Sequence, residues 1–453
     1  MALSSAGCWD RSEIDELGYI LALGVDPAPK GDWFYTIWLA VPRKMAPGAG
    51  GGGGGGGAAG GPQRSINVTT IEAASLGTAL QMMNTYIARR MTLEHAKAIV
   101  VSETQARSDM ISILASAVRF REFRRNTMIV VTRGTARDFL EKNVPSIEEN
   151  PARWLELMLG HEAWNGFIPR STAHEFLLEE ESEAMLPVTV LAGINERATK
   201  PLPGSTKGSD GKPDPSGGSG SDQPASPRLP PLFVDGAYLP GEVPRSGANE
   251  AELIGAAVFH GAKMVGELNG DEVRLTGLLR GKARRFFAAE PDPKFPGYYV
   301  GLDIRRAREP SVRVSFDGER PIVDVNVRLE GEITSIQSLY DWTTAENLSV
   351  LQEATARDLQ KRMQNLVRRS QQEFHGDIFD FGDRARGHFL LWKDWADYDW
   401  NRHFPQAQVN LQVTFELRRV GLQLSPSPPP ASMPQPGPRD QEPGGGQEGG
   451  GSP

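Results

Sequence analysis

Ile322-Val323-Asp324-Val325-Asn326-Val327-Arg328-Leu329 alternates apolar and polar side chains from Val323 onward. On a strand, successive side chains point to opposite faces, so Val323, Val325, Val327 and Leu329 share one side of a sheet and Asp324, Asn326 and Arg328 the other. Tyr298 to Ile304 and Ser311 to Phe316 carry similar patterns upstream. Turns at Glu309-Pro310 and Asp317-Gly318-Glu319 separate the three, which predicts a meander. Downstream, Leu351, Leu359, Met363, Leu366 and Val367 fall on one side of a long helix from about Thr343 to Phe374. A second helical stretch leads to Trp400, and a last strand alternates Val409, Leu411, Val413, Phe415 and Leu417. This order predicts an antiparallel-rich sheet covered by helices on one face.

The first half mixes the two periods. Tyr19 to Val25 and Trp33 to Val41 are aromatic and β-branched, and Asp26-Pro27 with Lys30-Gly31-Asp32 between them predicts a hairpin. Ser65 to Thr70 reads as a strand, and Leu76, Leu80, Met83 and Ile87 predict a helix over Ile71 to Arg90. Ala98 to Val101 is a buried-strand pattern, followed by a helix over Ser108 to Phe120 and a strand over Thr127 to Thr132. Thr135 to Glu180 is mostly helical, with Thr135 and Asp138, Pro151 and Ser171 marking helix starts. Leu186 to Ile194 and Ala251 to His260 read as paired strands. The fold class is α+β, with mixed α/β subdomains at residues 9–134, 135–268 and 269–424.

Glycine and proline gather in three places. Residues 48–62 include an unbroken glycine run from Gly50 to Gly57; such a run has the most backbone entropy to lose and reads as a mobile loop. No Lys-Ser or Lys-Thr follows it, as a phosphate-binding loop requires. Residues 200–231 mix Gly, Ser, Pro and Asp and read as a disordered insert linking the two paired strands, and residues 425–453 read as a disordered tail.

The chain has 453 residues and a net charge of −8, so nucleic acid is not expected as a partner, since phosphate binding needs a basic face. It has no apolar run of the length that spans a bilayer. The residues suggest no catalytic constellation, metal site or cofactor. The seven histidines are scattered; His95, just before a buried strand, reads as structural. Asp377, Asp380 and Asp383 would share a face if helical, as paired carboxylates for glycoside hydrolysis or a divalent cation do. The interleaved Ile378, Phe379 and Phe381 fit better with Asp377 capping a packed helix restart. Trp392, Trp395 and Tyr398, near Trp400 and Phe404, recur at helical spacing and read first as core, then as an interface, and last as a platform that stacks sugars or nucleobases. The basic stretches Arg119 to Arg125 and Lys361 to Arg369 read as solvated helix faces, which near a membrane would also meet acidic headgroups.

Cys8 is the sole cysteine, which leaves a free thiol, a small buried side chain or an attachment point. On the residues alone an ordinary exposed cysteine fits. Yet Gly7-Cys8-Trp9-Asp10-Arg11, followed by Glu13 to Leu17 and the Tyr19 strand, resembles the Ger(x)C family of spore germination lipoproteins. So do Leu93 to His95 running into Ile99 to Glu103, Gly255 to Phe259, Lys263 to Gly266 and Asp271 to Gly277. The closing pattern matches too: Asp377 to Phe379 with Phe381-Gly382, then Trp392 or Trp395, then Phe404-Pro405. Each motif is modest; their order over Gly7 to Leu424 is specific.

The resemblance implies that residues 1–8 are the remnant of a signal and lipobox, with Cys8 as the lipidated N-terminus. It also implies a site on the outer face of the spore inner membrane and a non-catalytic role beside the membrane-embedded A and B subunits of a nutrient-germinant receptor. The departures are the seven residues before Cys8, too few for an apolar signal segment, and Ser5 where an aliphatic residue is usual. A start upstream of Met1 would account for them; expressed as numbered, the chain should be cytosolic and soluble. The rival readings are a solute-binding lipoprotein that captures the nutrient itself and a cell-wall hydrolase using Asp377 to Asp383.

Overall fold

The computed structural model describes residues 13–41, 66–148, 150–161, 165–200, 236–338 and 340–419. Cys8, the glycine run, most of the 200–231 insert and the tail lie outside them.

Strands β1 (Leu17–Pro27) and β2 (Trp33–Ala40) form the expected antiparallel hairpin, and β3 (Ile66–Ala73) extends it. The predicted helix over 71–90 is much shorter: β3 keeps pairing with β2 as far as Trp33 opposite Ala73. Helix α1 (Leu76–Met83) therefore starts only at the Ser75 capping box. Strand β4 (Arg90–Thr92) then runs parallel to the start of β1. Strand β5 (Ala98–Ser102) is buried at every position, as a strand covered on both faces must be. Helices α2 (Glu103–Ser108) and α3 (Ile111–Val118) replace the single helix expected over 108–120, and β6 (Met128–Thr132) follows. Helices α4 (Ala136–Lys142), α5 (Pro151–Leu159) and α6 (Ala173–Glu181) lead to β7 (Val188–Ile194), which pairs antiparallel with β8 (Ala251–His260). Strand β9 (Lys263–Leu268) closes the sheet.

These strands make one nine-stranded sheet in the order β3-β2-β1-β5-β6-β7-β8-β9, with β4 beside β1. Strands β1, β5, β6 and β7 are parallel. The pairing of β6 with β7 carries the sheet across the 134/135 position at which the sequence suggested two subdomains. Helices α1, α2, α3 and α6 cover one face, and α4 and α5 the other. At the carboxyl end of β1 the Asp26 carboxylate accepts from Ala136 N at 2.7 Å and Arg137 N at 3.0 Å. The first turn of α4 is thus capped from another element as well as by Thr135.

Helix α7 (Gly270–Leu279) leads into the second sheet: β10 (Arg285–Pro291), β11 (Tyr299–Arg306), β12 (Ser311–Asp317), β13 (Arg320–Ile336) and, after helix α8 (Ala345–Arg369), β14 (Gln408–Arg419). It is not a meander. The 17-residue β13 is long enough for both of its predecessors. Its first half pairs with β12 and its second half with β11, while β14 runs parallel along it. Gly318 takes a φ of +62° in the β12–β13 hairpin, the positive angle such a tight turn demands.

As expected, the alternation in β13 buries Val323, Val325, Val327 and Leu329 against Leu351, Leu359, Met363 and Leu366 of α8. Asp324, Asn326 and Arg328 face outward. Two α8 side chains also reach the backbone of β14: Gln360 accepts from Val413 N at 3.2 Å and Gln352 from Leu417 N at 2.7 Å. Short helices α9 (Gly382–Arg386), α10 (Trp392–Tyr398) and α11 (Trp400–His403) lie between α8 and β14 in the chain.

The register of β7 against β8 is set by their own pairing and by Asn195, whose side-chain amide donates to the Glu252 carboxylate of β8 at 2.5 Å. Replacing residues 201–231 with a short flexible turn should leave thermal unfolding cooperative and shift stability by less than ~1 kcal/mol, because closure entropy varies slowly with loop length. Calorimetry of the deletion variant checks this; a broadened transition would show that the connection contributes to the core.

Candidate functional site

The most constrained chemistry lies where the two sheets join. The turn between α6 and β7 is gripped by the loop after α8. Leu186 N donates to the Asp377 carbonyl at 2.6 Å. A Cβ at Gly382 would stand 2.1 Å from the Ala184 carbonyl oxygen, so only glycine permits this approach. Asp377 has no exposed surface. Its carboxylate accepts from Phe379 N at 2.6 Å, Gly382 N at 2.9 Å and the Trp400 indole at 3.0 Å. Burial pushes its pKa up to about 6, against the pull of those donors.

Arg280, at the end of α7, ties the same parts together. It donates to the Ile378 carbonyl at 2.8 Å and the Leu186 carbonyl at 3.4 Å, and pairs with Glu179 of α6 at 3.1 Å. Burial raises the pKa of Glu179, with Arg280 opposing the shift. Above this floor lies a groove of about 370 Å³ walled by Ile168, Val188, Leu268 and Val273, with Lys282 and Arg284 among its lining residues. Its deepest charged groups already satisfy one another, so the arrangement works as a joint.

A second network joins α8 to α7 and β10. Arg362 binds Asp271, and reaches Glu290 and Asp358 at 3.2 Å each. Arg369 pairs with Glu272 at 2.7 Å. Burial opposes the charge on Arg362, but Asp271 and Glu290 outweigh it and raise its pKa. Glu290 is pushed up to about 7 by burial, with Arg362 pulling the other way.

Several sequence expectations change here. Asp377, Asp380 and Asp383 do not share a helical face, because His375 and Asp380 adopt left-handed φ of 54° and 66° and break the helix. Asp377 instead holds the restart, packed with Phe379 and Phe381, whose rings stack at 5.2 Å. Trp395 and Trp400 are core as expected, but Trp392 is 56 % exposed. The Lys361 to Arg369 stretch is not simply a solvated face, since Arg362 and Arg369 point into ion pairs. His95 is exposed and packs edge-on against Tyr19 at 4.9 Å, beside a polar recess with Lys97, Arg124 and Arg170. Among the described residues no cluster of three or more His, Cys, Asp or Glu has metal-binding geometry, and no helix is long and apolar enough to cross a membrane. Sequence reasoning missed Arg280 and Glu179, whose partners lie about a hundred residues away in the chain.

Residues 10–191 match the spore germination protein N-terminal domain, and residues 254–421 the spore germination B3/GerAC-like C-terminal domain. The chain belongs to the Ger(x)C family of spore germination proteins. Among curated Ger(x)C relatives, spore germination protein KC of Bacillus subtilis is 23 % identical over 93 % of both chains. Spore germination protein B3 of the same organism is 20 % identical over 93 % of this chain and 96 % of its own. The crystal structure of the GerBC protein aligns with a TM-score of 0.49 at 14 % identity, covering 87 % of this chain and 96 % of that one.

Two substitutions separate packing from chemistry in this Ger(x)C joint. Phe381→Ala should cost roughly 3–5 kcal/mol as a buried aromatic truncation. Asp380→Asn should leave stability and function near the parent, because asparagine tolerates the left-handed φ at that position. Denaturant titration and a germination assay check both; a folded Asp380→Asn protein without function would restore a chemical role for that carboxylate.

The Glu290 shift also predicts a pH dependence. Its folded pKa lies above the ordinary 4.5, so the native state holds the extra proton. That contribution is complete below about pH 4.5 and is lost as pH rises through about 7. Glu290→Gln should therefore flatten the fall of stability across that window. An unchanged slope in pH-dependent melting would assign the fall to other groups.

Proposed function

We propose that this Ger(x)C protein is the non-catalytic C subunit of a spore germinant receptor, held on the outer face of the spore inner membrane through lipid on Cys8. It acts there with the membrane-embedded A and B subunits in nutrient-triggered germination. The observation that carries this reading is the match of both Ger(x)C domains in order along one chain. The charged groups of the joint support it, since they are spent on one another.

One acyl chain gives only marginal membrane binding, whereas two give a stable anchor, so diacylation of Cys8 would suffice to hold the protein. Trp9, next to it, would sit among the headgroups, where indole rings are favoured. Expressed behind a lipoprotein signal segment, the Cys8→Ala variant should move from the membrane to the soluble fraction. Nutrient germination should fall, while germination by agents that bypass receptors stays at the parental level. A Cys8→Ala protein that remains at the membrane and supports nutrient germination would overturn the anchored reading.

A further inference from the structure

The entry into α10 presents three consecutive apolar side chains to solvent: Leu390 at 98 % exposure, Leu391 at 62 % and Trp392 at 56 %. They are not a frayed loop. Phe389, directly before them, packs against Phe316 at 5.8 Å, Trp395 at 5.5 Å and Tyr398 at 5.1 Å. The anchored Phe389 leaves its neighbours projecting as a fixed knuckle, flanked by exposed His388 and Lys393.

A second exposed feature is the arginine loop between α3 and β6. Arg119, Arg121, Arg124 and Arg125 are all exposed, and the one acid among them, Glu122, is engaged by Arg90 at 3.4 Å. The two features share one end of the molecule. The arginine loop enters β6 at its amino end. Trp395, one helical turn from Trp392, donates to the Ser182 carbonyl at 3.4 Å, in the turn entering the amino end of the adjacent parallel strand β7. The chain also enters β1 at this end, and β1 stands three strands from β7, about 15 Å at the usual strand spacing. Cys8 is nine residues before Leu17, a reach of up to about 30 Å.

We infer that this end of the molecule docks directly on a bilayer containing anionic phospholipid. The Leu390-Leu391-Trp392 knuckle enters the headgroup–acyl boundary, and the arginine loop pairs with lipid phosphates. Indole and leucine side chains are favoured at that depth, and clustered arginines are drawn to anionic headgroups. A projecting apolar knuckle suits a deformable lipid surface, and the arginines supply the matching charge. The inference rests on the membrane-anchored reading for its setting, but it concerns contacts that need no acyl chain.

The test uses the full chain carrying Cys8→Ala, so that acylation plays no part, with vesicles of phosphatidylcholine alone or mixed with phosphatidylglycerol. The protein should sediment with the anionic vesicles and release only in part as salt rises. Changing the four arginines to glutamine should weaken that binding about fivefold for each, the equivalent of ~1 kcal/mol per charge. The variant Leu390→Ser, Leu391→Ser, Trp392→Ser should melt like the parent and lose the binding that survives in salt. Failure to sediment with either vesicle, or parental binding by both variants, would overturn the inference. So would self-association of the parent that the triple-serine variant abolishes, since the knuckle would then be a protein contact. None of these outcomes touches the Cys8 reading, which fractionation of the acylated protein decides.

Discussion

A carboxylate with no exposed surface, Asp377, takes two backbone amides and an indole N–H in one lobe, while the carbonyl of the same residue accepts the amide of Leu186 from the other. Burying a carboxylate is costly unless its lone pairs are met, and here three donors meet them. Those donors lie on the restart after α8 and on α11, so the fold of that segment and the seat of Asp377 depend on each other. Arg280 then draws the Ile378 carbonyl and the α6–β7 turn onto the same spot. The relation of the two sheets is thus fixed by directional polar contacts laid over a shared apolar core, which runs from Leu186 and Val188 through Val273 to Phe379. Apolar contact alone would hold the lobes together, but with far less say over their relative orientation.

The first sheet has parallel strands with helices on both faces, an architecture that elsewhere presents helix N-termini to phosphates at the carboxyl ends of its strands. Here the amides opening α4 are met by the protein's own Asp26. Burial raises the pKa of Asp26 despite those two bonds. The protein supplies internally the negative group that a ligand supplies in other sheets of this kind.

What the sequence revealed and what it hid follow from the range of the interactions. Val323 to Leu329 announced a one-sided sheet because a strand's period is local, and Ala98 to Val101 announced a buried strand for the same reason. The helix over 71–90 was overdrawn because Leu76, Leu80, Met83 and Ile87 keep helical spacing, while pairing with β2 extends β3 through Ala73. The exposure of Trp392 was hidden, since its spacing to Trp395 is the same whether both are buried or one projects. The joint was hidden almost entirely. Arg280 looks like any arginine at a helix end until the turn at Leu186 and the loop at Ile378 are folded beside it. Asp377 was legible as a cap because the apolar residues around it exclude a solvated role.

The two glutamines that α8 lays against β14 have a consequence wherever copies of the chain are crowded together. A strand at the margin of a sheet is an open template, and crowding raises the rate at which such templates meet. Gln360 and Gln352 occupy the amides of Val413 and Leu417, which would otherwise greet an incoming strand. Neutral amide side chains do this without adding charge to a helix already rich in arginine. Neighbouring copies can then stand side by side at high density without their sheets growing into one another along that margin.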